Sequence, residues 1–597
     1  MTTTDFAAAT SAQRESETVE ALREVIFGAH MALHARVRDV VAGLSDSPPS
    51  GLTFAAETER APHLLRGVIA GLGRPAREIA ADAQLRGALC EWAQVAAPRL
   101  LLVLTGHFDL AIGAILGLGD GSAYQQDCLS ELDTGAAIGV LMLTELGGTN
   151  GADHQTTATW DPQAEGFRLT TPTATAIKSM PNVADPGVPK TVVVTARLIV
   201  DGRDEGVLPF LLRLRTATGL AEGVHVVRLP DKGSAPMDHA LIRFDQVLLP
   251  REALLGGDWA RMTPDGRLEC DLPPRRRFHA AISVLGNGRL DLANAAIASA
   301  RAALGGLVNY TGQRRPGSGI SMAERDAVSR DLVSGVAAVY ATSVLGRRIR
   351  DLRADSSGTD RQQALWSMLA KPLLSNTARQ VLITCRERAG WQGALRTNHL
   401  VDWIGNLDAI ITAEGENQIM QVTAGKAVED LTALRLPGTP AEMPWYIDLL
   451  GVRERAIADG IRTGDHAAAG IAFGPDSAAI ELATATAERL SATAVFAAAR
   501  TVDDIDAREL VEAAAAAYAL DRIHANGTWY AAHGHLAADR AAAVASELRE
   551  HYTFLSTHLP TLVAAFDLPE LPGPIFSDNY VRAWQDYSGW ADTIFVS

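Results

Sequence analysis

Glu414 and Glu416 stand on either side of a glycine in "ITAEGENQIM", residues 411–420, a stretch that is otherwise largely apolar. A carboxylate in apolar, water-poor surroundings binds its proton more readily. That brings its basicity toward what abstraction of a proton from carbon requires. Gly415 lets the backbone pass close to a ligand. The same residues also read as an ordinary helix start, with Thr412 as N-cap and the acids in the first turn. A second stretch, "LMLTELGGTN" at 141–150, sets Thr144 shortly before Gly147 and Gly148. It offers a hydroxyl and backbone N–H groups with no side chains to obstruct a flat ligand, or else a simple turn. Metal chemistry has little to draw on. Cys90, Cys128, Cys270 and Cys385 are widely separated, and His533 and His535 in "AAHGHL" lack nearby acids, so no metal site is expected. The chain has no GxxxxGK[ST] loop and no GxGxxG between strand and helix, and "GLGDGS" at 117–122 reads as a helix–helix turn. Any nucleotide cofactor is therefore held in another way.

The elements that must position these residues can be read from composition and spacing. At 597 residues the chain exceeds one ordinary core and calls for several domains. Its net charge of −16 argues against a general affinity for nucleic acid or anionic membrane. The scattered cysteines suit a reducing compartment. The first twenty residues are polar, and the most apolar run, "RLLLVLTGHFDLAIGAILGLG" from Arg99, carries His107 and Asp109 mid-span. It reads as a buried helix rather than a membrane anchor. The C-terminal "TIFVS" is neither a peroxisomal address nor a lipidation box, and a soluble cytoplasmic protein is expected.

Apolar spacing at three and four runs from about residue 12 to 140, broken by "SDSPPSG" at 45–51. Short β-branched runs then alternate between Asp-Pro, Asp-Gly and Gly signals, as in "TVVVTARLIVDG", and read as antiparallel strands. Helical spacing returns after "PPRRRF", and "LPGTPAEMPW" at 436–445 marks a further boundary before alanine-rich helices. The reading is a mainly α protein with a small central β domain: a helical domain at 1–139, a β domain at 140–272, a helical bundle at 273–435 and a second C-terminal helical domain at 436–597.

Together with "GHFDLAIGAILGLG" and "TTATWDP", the 141–150 stretch resembles the acyl-CoA oxidase branch of the acyl-CoA dehydrogenase superfamily. The pattern continues in order with "TPTATAIKSMP" (171–181), "NYTGQRR" (309–315), "CRERAGWQG" (385–393) and "AEGENQIM" (413–420). Four ordered motifs at family spacing carry weight that none has alone. The resemblance implies an N-terminal helical domain, a β-barrel-like domain, a flavin-contacting bundle and an added helical domain. It also implies FAD, a homodimer that completes the FAD site, and α,β-dehydrogenation of an acyl thioester on CoA or a carrier protein. Oxygen would take the electrons to give hydrogen peroxide; the alternatives are an electron-transferring flavoprotein as acceptor, or a catalytically silent partner subunit.

By the same resemblance Glu414 is the base, and its backbone N–H holds the thioester oxygen. Thr144, Gly147 and Gly148 border the flavin ring, with Ser179 and Asn182 beside it. Arg314 pairs with the FAD pyrophosphate of the neighbouring subunit, Gly393 lies in the same region, and Glu416 contacts the adenosine end. Arg289 is the active-site arginine of the helix that carries Tyr310. Two departures stand out. Asn182 replaces a flavin-facing glycine, and Trp391 adds bulk where backbone normally nears the pyrophosphate. Both point away from ordinary straight-chain acyl-CoA.

Overall fold

The structure is a computed structural model that describes residues 3–46, 51–148, 153–317 and 319–592. Parts of two expected features, residues 47–50 of the "SDSPPSG" break and 149–150 of the glycine motif, lie outside the described residues, as does the C-terminal "TIFVS". The chain divides into two compact units: Met1–Ala42, Gln94–Ala96 and Leu292–Ser597 form one, and Gly43–Ala93 and Ala97–Asp291 form the other. The first 42 residues thus cluster with the C-terminal helices, and the later N-terminal helices cluster with the strands.

The second unit holds twelve strands among its described residues: β1 Ile138–Met142, β2 Thr157–Asp161, β3 Gly166–Thr170, β4 Lys178–Pro181, β5 Lys190–Val200, β6 Arg203–Thr216, β7 Gly219–Leu220, β8 Val224–Arg228, β9 His239–Phe244, β10 Val247–Pro250, β11 Ala260–Met262 and β12 Leu268–Cys270. β5 and β6 form the long central hairpin, joined by Asp201 and Gly202 with φ of +49° and +75°. Two left-handed residues are what a tight turn matching strand twist requires, and Asp-Gly supplies them. Nearly every residue of β5 is buried, which accounts for its run of "TVVV" in place of strict alternation.

The expectation of antiparallel strands fails at one edge. β1 and β2 both lie parallel to β5, with Ile138 to Met142 opposite Lys190 to Val194 and Thr157 to Thr159 opposite Arg197 to Ile199. They take the same edge of β5 in succession, and the chain between them leaves the sheet. That excursion carries Thr144, Gly147 and Gly148. The strands form a seven-stranded, a three-stranded (β4-β9-β8) and a two-stranded sheet, so the expected barrel is not closed by a continuous ring of hydrogen bonds.

The apolar run near Arg99 is helical throughout Pro98–Leu118, and although long and apolar enough to cross a membrane it is 72% buried within the protein. Its middle, Thr105–Ile112, is a π-helix. There the buried His107 accepts a 3.1 Å hydrogen bond at Nδ1 from the Gly139 N–H.

The first unit is helical. Asp326–Ala354 and Asp360–Arg388 pack along each other, and Leu400–Thr412 and Asn417–Lys426 pack against the latter. The alanine-rich helices are Pro475–Ala499 and Ile505–Ala525. Small side chains let backbones approach, most closely at Gly425. A Cβ there would stand 1.9 Å from the Ala479 carbonyl oxygen, so the helix that follows Glu414 is seated by a residue that must be glycine.

Candidate active site

The predicted residues fall into two groups, one in each unit. In the helical unit, Leu400–Thr412 ends with Ala413 in extended backbone, and Asn417–Lys426 begins three residues further on. Between them Glu414 has φ +55° and Gly415 φ +104°. Glycine tolerates this at no cost, whereas an ordinary L-residue in the left-handed region is disfavoured by about 1–2 kcal/mol. Both carboxylate oxygens of Glu414 are buried. The helix-start reading is corrected at Thr412, which is the last residue of a helix and donates its hydroxyl to Ala409 O at 3.0 Å. The N-cap of the next helix is Glu416, whose Oε2 accepts from Ile419 N at 3.2 Å. Two adjacent acids therefore do different work.

Lys371, which the sequence did not single out, is fully buried on the Asp360–Arg388 helix. Its Nζ donates to Gly415 O at 2.8 Å, to Asn417 Oδ1 at 3.1 Å and to Ile411 O at 3.2 Å. Asn417 Nδ2 in turn donates to Ser375 Oγ and Asn376 Oδ1. Nothing local in the sequence signals this, since a lysine in a long helix ordinarily faces water. The proline that follows it, Pro372, is the one hint of an unusual helix turn.

Arg314 follows directly on the Leu285–Gln313 helix, with its guanidinium 5.9 Å from the centroid of the Tyr310 ring. Burial pushes the Tyr310 phenol up, against the opposing influence of Arg314 and of hydrogen bonds from Gln392 and Arg314. Gln392 therefore links Arg314 to the Gly390–Ala394 turn. Gly393 in that turn is buried, and a Cβ would lie 2.3 Å from Arg386 O. Its need for glycine is met inside the fold. Trp391 corrects an expectation: it does not fill a cavity but is 60% exposed, with its ring 5.3 Å from Trp584.

In the sheet-bearing unit, the excursion after β1 pairs with the chain leading into β4. Ser179 N donates to Thr144 O at 3.1 Å, Leu146 N to Ile177 O at 2.9 Å and Gly147 N to Thr175 O at 2.8 Å. Thr144, Gly147, Gly148 and Ser179 are thus brought together on one ledge. Thr144 is exposed, and a Cβ at Gly148 would meet nothing within 4 Å. Asn182, at the end of β4, has φ +59° and donates Nδ2 to Leu102 O at 2.8 Å. This backbone explains why glycine suits the position and why asparagine, the side chain that best tolerates it, can replace glycine. Arg289 sits half-buried in the second turn of Leu285–Gln313.

Behind the ledge the sheet has a gap. Thr195 of β5 falls between the stretches paired by β1 and β2, and its carbonyl is taken by side chains instead. Lys178 Nζ donates to it at 3.0 Å and His154 Nε2 lies 2.8 Å away. Lys178 also donates to Leu143 O at 3.2 Å and meets Glu145 Oε1 at 3.2 Å. Glu145 accepts from Gln155 N and Thr156 N at 2.8 and 2.9 Å. Burial lowers Lys178 to about 8, partly offset by Glu145, and lowers His154 to about 4, assisted by Lys178. Burial raises Glu145, yet Lys178 and the Thr156 hydrogen bonds outweigh it and leave the carboxyl below its usual range. At neutral pH the ledge thus rests on a Lys⁺–Glu⁻ pair beside a neutral histidine.

Among the described residues no group of three or more His, Cys, Asp or Glu side chains is placed to hold a metal ion. Residues 278–428 match the family described as "Acyl-CoA dehydrogenase, C-terminal domain". "Acyl-coenzyme A oxidase 3, peroxisomal" of Arabidopsis thaliana is 28% identical over 334 residues, which is 54% of this chain and 49% of that protein. The chain thus aligns with about half the length of that relative. The fold matches acyl-CoA oxidase1 of Yarrowia lipolytica with a TM-score of 0.78 at 17% identity, covering 98% of this chain and 94% of that one. It matches acyl-CoA oxidase-2 of Caenorhabditis elegans, bound with FAD, ascaroside-CoA and ATP, with a TM-score of 0.80 at 16% identity, covering 98% and 94%. Sequence and fold together place the chain in the acyl-CoA dehydrogenase/oxidase superfamily, in its acyl-CoA oxidase branch.

Proposed function

We propose that this chain is an FAD-dependent acyl-thioester oxidase. It would remove an α-proton and a β-hydride from an acyl-CoA, leaving an α,β double bond, with oxygen as the electron acceptor and hydrogen peroxide as the product. The observation that carries this reading is the Glu414–Gly415 turn: a carboxyl with both oxygens buried, held in left-handed backbone between two helices. Such strain persists where the surrounding structure over-determines it, and it clusters at sites that need a fixed geometry. The fold it shares with an oxidase bound with FAD and ascaroside-CoA supports the cofactor and the thioester class.

The residues of the ledge fit a flat cofactor with a polar edge. Thr144 and Ser179 offer hydroxyls, and the space beside Gly148 is open. Arg314, beside Tyr310, offers the planar fork that suits a pyrophosphate. Bound FAD would supply the two-electron acceptor for the β-hydride. Glu414 takes the α-proton, and its burial keeps water from competing for that role. Its own backbone N–H, held by the turn, is the donor aimed at the thioester oxygen, where charge grows as the proton leaves. We further propose that the enzyme is a cytoplasmic homodimer. The four cysteines, all free, are what a reducing compartment favours, and Arg314 at a helix end suits a ligand reaching across from a second copy.

Anaerobic mixing of the FAD-loaded protein with a panel of acyl-CoAs tests the reading through loss of the oxidised flavin spectrum. Glu414→Gln keeps shape and hydrogen bonding but cannot accept the proton, so reduction should slow by about 10²–10⁴-fold. Glu416→Gln, two residues away, serves as the control and should reduce nearly normally. If the two variants exchange behaviours, the base is the other glutamate. An oxygen electrode on the wild type separates oxidase from dehydrogenase activity.

A further inference from the structure

We propose that Lys371 is the positioning residue of the base turn: its ammonium holds Glu414 in place through the backbone on both sides. This inference rests on the reading of Glu414 as the base. Lys371 contributes three N–H donors, and three acceptors are spent on them: Ile411 O three residues before Glu414, Gly415 O directly after it, and Asn417 Oδ1 at the first residue of the next helix. Ile411 O belongs to the last turn of the Leu400–Thr412 helix, where carbonyls lack an intrahelical partner and a cation is favoured. A single buried cation thus closes one helix end, fixes the carbonyl beside the base and reaches the start of the next helix.

The arrangement is anchored from behind as well. Asn417 donates to Ser375 and Asn376, four and five residues further along the helix that carries Lys371. Ser375 Oγ donates back to Lys371 O at 2.6 Å. Lys371, Ser375, Asn376 and Asn417 therefore tie the turn to one helix at two levels. Glu414 at φ +55° would relax toward ordinary backbone if released, since nothing in its own residue type favours that conformation. Relaxation would swing the carboxyl away from its setting, and a misplacement of about 1 Å costs on the order of 10²-fold in rate.

The test uses full-length, FAD-loaded protein carrying Lys371→Met, which keeps the length of the side chain and removes its donors. The probes are butanoyl-, isobutanoyl- and octanoyl-CoA, each with protium or deuterium at the α-carbon. Lys371→Met should lower kcat about 10–100-fold while KM stays within about threefold, and it should enlarge the α-deuterium isotope effect because proton abstraction has become the slow step. A substitution that merely loosens the bundle would not raise that isotope effect. Amide hydrogen exchange of the free protein supplies a readout independent of turnover: the Glu414–Asn417 amides should exchange at least about tenfold faster. Asn417→Ala should give a weaker version of the same pattern, and the double variant should fall short of additivity.

Wild-type kcat and unchanged exchange in Lys371→Met, with Glu414→Gln inactive, would overturn the positioning role and leave the base intact. Normal flavin reduction by Glu414→Gln would overturn both. Should Lys371→Met fail to fold, Asn417→Ala decides alone, and wild-type kinetics and exchange there count against the proposal.

Discussion

Lys178 and Glu145 meet 3.2 Å apart with both side chains essentially shut off from water, directly behind the ledge that carries Thr144 and Ser179. The pair fills the place where β5 lacks a strand neighbour. Lys178→Met should leave Glu145 uncompensated, and breaking a buried pair on one side typically costs about 3–5 kcal/mol. Lys178→Met with Glu145→Gln should recover part of that loss. Urea unfolding of the three variants measures it, and a single variant as stable as wild type would show that the pair contributes little.

Asn182 is a case of strained backbone with a built-in compensation. Asn182→Gly removes the strain together with the hydrogen bond to Leu102 O, so the net change should lie within about 1 kcal/mol. Asn182→Val keeps the strain, adds branching at Cβ and loses the bond, and should cost about 2 kcal/mol or more. Thermal unfolding of both variants checks the order, which reverses if the left-handed conformation is not required.

Acid should loosen the sheet-bearing unit. Burial lowers His107 to about 4 from its ordinary 6.5. Between those values the unfolded chain binds the proton and the folded one does not, so stability falls as pH drops below 6.5 and levels off below 4. At pH 5 the single-group contribution is about 2 kcal/mol. His154, also lowered to about 4, titrates over the same window. His107→Gln should flatten roughly half of the slope of stability against pH between 6.5 and 5, read from denaturation at several pH values.

Arg314→Ala should separate cofactor retention from folding. The side chain is half-buried beside Tyr310, and its loss removes a charge-assisted phosphate contact with little packing. Flavin should be lost on gel filtration while the melting temperature of the apoprotein changes by only a few degrees. Equal flavin content in variant and wild type would remove Arg314 from the cofactor site.

The element types were legible in the sequence because each carries its own period. β5 announced itself by β-branched residues and an Asp-Gly turn, and Pro475–Ala499 by its alanines. The partners of β5 were not legible. Which strand lies beside which is decided by contacts distant in sequence, and the parallel placement of β1 and β2 left no local mark. The Glu414 turn shows the same division. Its acids and glycine were visible, yet helix end and helix start share the same residue types, so Thr412 was assigned to the wrong helix. Lys371 lies 43 residues before Glu414, inside a helix whose spacing looks ordinary. Trp391 was read as bulk in a binding site because residue type conveys size but not direction; in the structure it turns outward to Trp584.

The π-helical stretch Thr105–Ile112 has a genealogical reading. Wider i→i+5 turns accommodate one residue more than the flanking α-helical turns would over the same rise. An insertion into an older α-helix would be absorbed in this way, without displacing Pro98–Leu104 on one side or Gly113–Leu118 on the other. The two flanks are then out of rotational phase by about 100°, the angle of one residue. Removing any one residue from 105–112 would close the bulge and force one flank to turn by that angle, taking either His107 from Gly139 or the far end of the run from its seat. The helix holds both ends only because its middle is overlong.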